Sequence, residues 1–458
     1  MNRTLTKSAI FKEVKNCLLL AVPLAGAQLA QAATGFIDTV MMGLLGSHTI
    51  AAGGLGATLF TALLIIGTGV VSAVSPLAAE AYGAGKIEVV GRVVRQGLWL
   101  SLVIAIPITL LIWHGSWLLR LFGQDEENVL LAESYLRAIA WGYFPGLAFA
   151  VLKNFVSALS RTRPIITIMV CGTVFTIAAN YVLMFGKLGF PALGIAGIGW
   201  ASAASIWGMF VAMAAYILQP AFRVYGVFSA LHQFDKRVFG ELLRIGWSIG
   251  VLAAVETGLF TITTFLMGQL GTATLAAHQI ALQTASITFM IPLGISYATT
   301  VRVGQLNGQG DANAARLAGY VGICLGGSFM AIMAILFWTM PILIISLYLD
   351  VQNPANVSVV RLAQSLLGVA AIFQMFDGIQ IIAAGALRGL KDTRIPMFVG
   401  ILAYWCIGLT SGYLLGLRLG FGGVGLWCGL AIGLLAAATI LTWRFHYLMS
   451  SGVQAQNC

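Results

Sequence analysis

The sequence contains few charged residues. Asp, Glu, Lys and Arg make up 9% of its 458 residues, 59% are hydrophobic, and the mean hydropathy is +0.93. Soluble domains carry about 25% charged residues, so this composition excludes a soluble globular protein. A helix that crosses a bilayer needs roughly 20 apolar residues, and the chain has about a dozen such runs. The sequence therefore predicts a polytopic helical membrane protein.

The sequence is also poor in residues that serve as catalytic groups or metal ligands. It has 5 His and 6 Cys, and none of them has metal-ligand spacing. The cysteines lie in or beside apolar runs, apart from Cys458, and are interpreted as small packing residues. The chain has no nucleotide-binding Gly-Lys-Ser/Thr loop and no nucleophile elbow. We therefore expect no enzymatic activity and no cofactor, and transport driven by an ion gradient rather than by ATP.

The basic residues predict the orientation of the chain. With twelve spans both termini lie on one side, and that side holds 20 of the 25 Lys and Arg residues. The positive-inside rule makes this side cytoplasmic. The net charge of +10 therefore reflects topology and does not indicate nucleic-acid binding. The predicted spans are residues 17–45, 50–79, 93–119, 129–158, 164–186, 193–218, 241–269, 274–301, 317–349, 359–387, 395–416 and 423–447.

The chain contains an internal duplication. Residues 41–52 read MMGLLGSHTIAA and residues 266–277 read LMGQLGTATLAA, with a constant offset of 225 residues. The same offset relates Gly69 to Gly294 and Gly85 to Gly310. A repeat of six spans leaves both halves in the same orientation, as in transporters with parallel repeats. We predict an N-terminal lobe at 1–219, a cytoplasmic linker at 220–240 and a C-terminal lobe at 241–458, with a substrate cavity between the lobes.

Three acidic residues lie well inside predicted spans: Asp38, Glu256 and Asp377. A charge at that depth costs at least ~2.5–3.5 kcal/mol and usually faces a cavity or a pathway. In the repeat, Asp38 corresponds to Thr263 and Glu256 to Gln31, so neither acid recurs in the sister half. This asymmetry favours a functional use over a structural one. Each acid can carry a proton, bind Na⁺ among neutral oxygens, or pair with a cationic substrate.

Neutral polar residues surround these acids along the sequence. Gln31 and Thr34, at −7 and −4 from Asp38, share its helical face and are candidates for a cavity wall. The threonines at 257, 261, 263 and 264 are expected mostly to bond the backbone of their own helix. His278 is a candidate proton carrier, although a hydrogen bond at a helix interface is the better interpretation.

Four motifs carry a family resemblance that covers essentially the whole chain. With twelve spans in a 6+6 duplication, they resemble multidrug and toxic compound extrusion (MATE) transporters of the bacterial NorM-like branch. The motifs are Asp38-Thr-Val-Met-Met-Gly-Leu-Leu-Gly, Ala276-Ala-His-Gln-Ile, Gly385-Ala-Leu-Arg-Gly-Leu-Lys-Asp-Thr-Arg-Ile-Pro396 and Asn180-Tyr-Val-Leu-Met-Phe-Gly-Lys-Leu-Gly-Phe-Pro-Ala-Leu-Gly-Ile-Ala-Gly197. The fold implied is an all-α polytopic membrane protein of two six-helix bundles.

The resemblance implies an antiporter that exports cationic, often aromatic drugs or toxic metabolites in exchange for H⁺ or Na⁺ by alternating access. It implies functional carboxylates at Asp38, Glu256 and Asp377, with Asn180 in the polar group near the first acid. A Na⁺ ion would be held at Glu256 and Asp377. The chain departs from the family at Thr176, where related sequences often have Asn, which weakens the case for a Na⁺ site in the N-terminal lobe.

The expected location is the bacterial inner membrane, with lipid as a partner, both termini cytoplasmic and a monomer as the functional form. The main alternative is a lipid-linked saccharide flippase of related architecture. That class needs a cavity rich in Arg or Lys, whereas the spans here contain acids. A passive channel is disfavoured because the acids are solitary and do not form a ring. In a purely structural or assembly protein, neutralising the acids would leave function intact.

Overall fold

The computed structural model describes residues 7–121 and 125–450, and within these ranges the helices are joined by turns and loops, with no β-strand. Twelve helical segments of this part are long and apolar enough to cross a membrane. Each coincides with one predicted span, so the prediction of an all-α polytopic protein is confirmed. Arg3, which contributes to the predicted cytoplasmic charge, and Cys458 lie outside the described residues.

The first compact unit consists of residues Gly26–Gly250. The helices that contribute to this unit are α1 (Lys7–Leu44), α2 (Ser47–Val71), α3 (Val74–Gly83), α4 (Ile87–Trp113), α5 (Gly115–Leu121), α6 (Glu126–Ile139), α7 (Tyr143–Ala158), α8 (Arg163–Phe185), α9 (Ile195–Ile217) and α10 (Lys236–Gln269). The core of the unit is formed where α8 packs on α9, α6 on α2 and α9, and α7 on α3 and α4.

The second compact unit consists of Met1–Ala25 and Val251–Cys458. Helix packing in this unit centres on one long helix, Val357–Gly389, which is the most buried of its spans. Around it lies a cluster of large side chains that includes Phe373, Trp427 and Phe445. Besides α1 and α10, the helices are α11 (Thr272–Gly308), α12 (Ala312–Thr339), α13 (Pro341–Ser346), α14 (Val357–Gly389), α15 (Arg394–Gly400), α16 (Thr410–Tyr413) and α17 (Gly422–Ser450).

Two helices are each divided between the units. In α1, residues 7–25 belong to the second unit and 26–44 to the first, while in α10 residues 236–250 belong to the first unit and 251–269 to the second. The compact units therefore differ from the predicted lobes at 1–219 and 241–458 by the exchange of these two half-helices, and the predicted linker at 220–240 lies within the first unit. The two division points, after Ala25 and after Gly250, are 225 residues apart, which is the offset of the sequence repeat.

Glycine contacts show why these half-helices pack where they do. A Cβ added at Gly69 would lie 3.2 Å from Gly250 Cα, and one added at Gly294 would lie 2.5 Å from Ala25 N. Gly69 and Gly294 are repeat equivalents, and so are Ala25 and Gly250. Each unit thus contains the same close crossing of two helix backbones, which is possible because small residues lie at the contact.

Backbone conformation follows the repeat as well. Gly46 and Gly271, which precede α2 and α11, have φ of 116° and 113°, and Gly85 and Gly310 have φ of 71° and 76°. These conformations favour glycine because it has no Cβ. The non-glycine residues Ser160 and Lys391, in the corresponding turns after α7 and α14, share φ of 60° and 64°. The duplication inferred from sequence therefore extends to the turns.

The structure corrects the ends of several predicted spans. The third span, predicted at 93–119, begins at Ile87 and ends at Trp113, and α5 follows as a separate helix. The ninth, predicted at 317–349, ends at Thr339 because Pro341 has no backbone N–H to continue it and instead begins α13. The eleventh span contains π-helical stretches at Ile401–Leu409 and Leu414–Arg418.

Candidate functional site

Asp38 is held by two donors from different helices of the first unit. Asn180 on α8 donates from Nδ2 to Asp38 Oδ1 at 2.7 Å, and Ser202 on α9 donates from Oγ to Asp38 Oδ2 at 3.0 Å. Asn180 is fully buried and Asp38 partly so. Both carboxylate oxygens therefore accept a hydrogen bond in a largely apolar surrounding, which is the pairing that a buried carboxylate requires.

One further oxygen at this site has no partner. Asn180 Oδ1 is buried and makes no hydrogen bond among the described residues. A buried acceptor beside a carboxylate is costly to leave unpaired. Asn180 Oδ1 is consequently an atom to which a proton donor, a water molecule or a cation would bind favourably.

The other predicted residues of this half are not hydrogen-bonded to Asp38. Thr176 donates to Ser205 Oγ at 2.7 Å and, alternatively, to the backbone carbonyl of Gly172 at 2.9 Å. Thr34 Oγ1 lies 2.8 Å from Thr173 Oγ1, and Gln31 is exposed. Asp38 and Asn180 thus come together as expected, with Ser202 added, whereas Thr176, Thr34 and Gln31 lie outside this hydrogen-bonded group.

The second unit contains Glu256 on α10 and Asp377 on α14. Asp377 is 6% exposed and Glu256 is partly buried. The two carboxyl groups interact electrostatically, and Glu256 also interacts with the guanidinium of Arg388. The two acids, 121 residues apart in the sequence, therefore lie close enough for their charges to interact, and their assignment to one Na⁺ site stays a prediction.

Several polar atoms of this unit are buried without a partner. They are Asp377 Oδ1, Gln374 Nε2, Gln380 Oε1 and Tyr404 Oη, each without a hydrogen bond among the described residues. Gln374, Asp377 and Gln380 follow one another at intervals of three residues on α14. Native proteins leave few buried polar atoms unpaired, and several of them in one unit indicate a functional role.

No conventional metal centre is formed by the described side chains. Within residues 7–121 and 125–450, no group of three or more His, Cys, Asp or Glu residues is placed to hold a metal ion. An ion at Glu256 and Asp377 would have to complete its coordination with neutral oxygens. The amide oxygen of Gln380 and the hydroxyl of Tyr404 supply the type of ligand that hard cations such as Na⁺ prefer.

Sequence reasoning missed two residues that touch or influence the acids. Ser202 has no signal of its own, because serine in an apolar helix commonly bonds the backbone of that helix. The tenth predicted span ends at 387, so the sequence places Arg388 in a cytoplasmic loop. It lies in the last turn of α14, partly buried, with Nη2 3.3 Å from Ser296 Oγ. Its place in the motif beginning at Gly385 was the signal that could have identified it.

A fourth buried acid, Glu13, was placed outside the predicted first span but lies within α1. Its carboxylate accepts two hydrogen bonds from Arg302, at 2.8 and 2.7 Å. Both side chains are largely buried and both belong to the second unit. Because Glu13 is fully paired, it is interpreted as a structural contact between α1 and α11 rather than as a transport residue.

His278 belongs to a buried hydrogen-bond network. Trp427 Nε1 donates to His278 Nδ1 at 3.1 Å, and Thr264 Oγ1 lies 3.0 Å from His278 Nε2. Both ring nitrogens therefore have partners in the folded protein, in agreement with an interface hydrogen bond. The threonines at 257, 261, 263 and 264 donate to carbonyls of their own helix, as expected.

Comparison with known sequences gives a consistent set of relatives. The MatE family model matches residues 23–182 and 249–414. The chain is 47% identical over 438 residues to "Probable multidrug resistance protein NorM" of Synechocystis sp., covering 95% of each protein. A protein of the same description from Pseudomonas syringae pv. tomato is 43% identical over 439 residues, again with 95% of each covered.

Solved structures show the same fold. The crystal structure of the eukaryotic MATE transporter AtDTX14 superposes with a TM-score of 0.82 at 21% identity, covering 97% of this chain and 99% of that one. A multidrug resistance MATE family transporter of the MOP superfamily in an outward-facing conformation gives 0.85 at 19% identity, covering 97% and 98%. At this level of identity the likeness concerns the fold alone.

Proposed function

Because the chain belongs to the MatE family of multi-pass membrane transporters, we propose that it is a secondary multidrug antiporter. It exports cationic, often aromatic compounds in exchange for H⁺ or Na⁺ by alternating access. The protein is a transporter rather than an enzyme, and it acts in the bacterial inner membrane with both termini in the cytoplasm.

The observation that carries this proposal is that the carboxylates occur together with buried oxygen atoms that have no hydrogen-bond partner. Asp38 lies beside Asn180 Oδ1, and Asp377 lies in the unit that holds Gln380 Oε1 and Tyr404 Oη. Leaving such atoms unpaired is unfavourable, and a bound proton or cation satisfies them. Exchange then follows if the same carboxylates hold the coupling ion in one state and are discharged in another, so that cation export accompanies ion entry.

The residues act in distinct ways in this proposal. Asp38 binds a proton or a cation while Asn180 and Ser202 orient its two oxygens. Glu256 and Asp377 share a bound H⁺ or Na⁺, and the positive charge of Arg388 lies near enough to interact with Glu256. The flippase alternative needs several basic residues in a cavity, whereas Arg388 is a single cation that interacts with an acid.

The test is export of a fluorescent cationic dye from liposomes containing the purified protein, under an imposed pH gradient or an imposed Na⁺ gradient. Asp38→Asn, Glu256→Gln and Asp377→Asn should each reduce gradient-driven export at least about tenfold, because each removes the charge that binds the ion. Glu127→Gln is the matched control, since Glu127 is an exposed acid in the first turn of α6.

The gradient that drives export identifies the coupling ion. The absence of export under both gradients, with folded protein in the liposomes, would contradict the antiport proposal. Equal export by the three variants and by Glu127→Gln would remove the acids from the mechanism.

A further inference from the structure

A cavity of about 690 Å³ lies in the first unit where α4 and α10 begin. It is formed by the first three turns of α4, by the first turn of α10 and by the linker that precedes α10. Four of its lining residues are basic and two are acidic, which gives the lining an excess of positive charge. The charged residues are Arg92, Arg95, Lys236, Arg237, Glu88 and Asp235.

Arg95 is the unusual member of this group. It lines the cavity and yet is only 9% exposed. Its Nη1 donates to the backbone carbonyl of Gly226 at 2.7 Å, but its Nε is buried and has no partner among the described residues. Within residues 7–121 and 125–450, no carboxylate lies within ion-pair distance of Arg95. A buried guanidinium without a counter-ion is strongly unfavourable, so the site is incomplete without an anion.

The acids of the cavity do not supply that counter-ion. Asp235 Oδ1 accepts from the backbone N–H groups of Arg237 and Val238, and Oδ2 lies 3.4 Å from Arg92 Nη1. The hydrogen bond from Val238 N–H, with those from Arg237 and Arg92, holds the pKa of Asp235 below its ordinary value. Asp235 thus already caps α10 and forms an ion pair with Arg92. Glu88, in the first turn of α4, is exposed.

The cavity is a fixed part of the fold because the linker is bound to α4 along its length. A Cβ at Gly91 would lie 1.8 Å from the carbonyl oxygen of Tyr225, so the linker packs directly on the helix backbone there. Further along α4, Gln96 donates to Gln233 O at 2.9 Å and Trp99 donates to Leu231 O at 2.8 Å. These contacts fix the linker against α4, so the two walls of the cavity are held in place.

We propose that this cavity binds a phosphate-type anion, with Arg95 and Arg92 as its main donors. Guanidinium groups bind phosphate oxygens through paired, charge-assisted hydrogen bonds. Lys236 and Arg237 add positive charge at the rim. The anion is either the headgroup of an anionic lipid or a free phosphate, since the cavity lies at helix ends on the predicted cytoplasmic side. The site is separate from the transport acids and does not depend on the proposed function.

The experiment measures binding by the full-length protein in detergent. Thermal unfolding is recorded in sodium phosphate and in sodium chloride of equal ionic strength, and native mass spectrometry compares retention of phosphatidylglycerol with that of phosphatidylcholine. Arg95→Gln should weaken binding of the preferred anion about tenfold or more, the effect of losing a hydrogen bond to a charged group. Arg163→Gln, an exposed basic residue outside the cavity on the same predicted side, is the charge-matched control.

The outcomes distinguish the source of the anion. Selective retention of phosphatidylglycerol, lost in Arg95→Gln and kept in Arg163→Gln, assigns the cavity to a lipid headgroup. Stabilisation by phosphate with the same dependence on Arg95 assigns it to a soluble phosphate. If Arg95→Gln does not fold, the partly exposed Arg92→Gln replaces it. The proposal is overturned if the wild-type protein prefers neither anion, or if the cavity variant and Arg163→Gln behave alike.

Discussion

Ser202 and Ser205 lie about one helical turn apart on α9, but their hydroxyl groups have different partners. Ser202 donates to Asp38, whereas Ser205 donates to the carbonyl of Gly172. Ser202→Ala should therefore reduce gradient-driven dye export several-fold, because one carboxylate oxygen of Asp38 loses its donor. Ser205→Ala should leave export close to wild type and lower stability by about 1 kcal/mol. Export from liposomes and thermal unfolding of the same preparations measure the two effects.

The serine pair also separates a positioning role from a packing role. A similar loss of export in both variants, in proportion to a loss of stability, would show that Ser202 acts only through packing. Recovery of export in Ser202→Thr, which keeps a hydroxyl group, would support the hydrogen bond to Asp38 as the cause.

Two ion pairs of this protein differ chiefly in burial. The side chains of Glu13 and Arg302 are 9% and 15% exposed, whereas those of Glu126 and Arg120 are 61% and 48% exposed. Glu13→Ala leaves the largely buried guanidinium of Arg302 without its counter-ion, which should destabilise the fold by about 3 kcal/mol. Glu126→Ala should change stability little, because solvent replaces the lost contact. Thermal unfolding in detergent compares them, and equal unfolding temperatures would refute the distinction.

At the scale of residues, the sequence singles out side chains that are chemically isolated. Asp38, Glu256 and Asp377 stand out because each is a lone acid in an apolar run. The hydroxyl donor of Asp38 does not stand out, since Ser202 resembles the many hydroxyl residues of apolar helices. Which serine meets Asp38 depends on how α1, α8 and α9 pack, and a single sequence does not specify that packing.

At the scale of helices, α17 is distinguished by its contact with the π-helical span. A Cβ at Gly429 would lie 2.2 Å from Gly412 Cα and N, so two backbones touch there. Gly429→Ala should destabilise the protein by about 1–3 kcal/mol or more, because backbone cannot move aside as a side chain can. Gly208→Ala, in α9 with nothing within 4 Å of the added Cβ, should be neutral or stabilising.

Unfolding of both glycine variants under identical detergent conditions gives the comparison. Equal stability of Gly429→Ala and the wild type would mean that α17 can shift away from its neighbour at little cost, contrary to the contact described.

The existence of the helices was predictable, but several of their ends were not. Length and hydropathy identify a span because the bilayer imposes both. The ends of α4 and α12 depend on local chemistry that hydropathy does not register: the turn at Gly85, the break after Trp113 and the missing N–H of Pro341. The π-helical stretches of the eleventh span likewise leave no hydropathy signal.

For the whole molecule, the distribution of basic residues predicts a definite topology. Lys86, between α3 and α4, should be cytoplasmic, and Lys187, between α8 and α9, should be outside; both side chains are exposed. In a variant without native cysteines, Lys187→Cys should react with a membrane-impermeant maleimide in intact cells and Lys86→Cys should not. Both should react after lysis, and labelling of Lys86→Cys in intact cells would contradict the predicted orientation.

The exchange of half-helices constrains how the duplication arose. A six-span ancestor with the same exchange could bury the first half of its first helix only against a second copy of itself. Such an ancestor would be a domain-swapped homodimer. Fusion of two copies would make that assembly intramolecular and independent of concentration. It would also allow each half to keep an acid that its sister lacks, the pattern of Asp38 opposite Thr263 and Glu256 opposite Gln31.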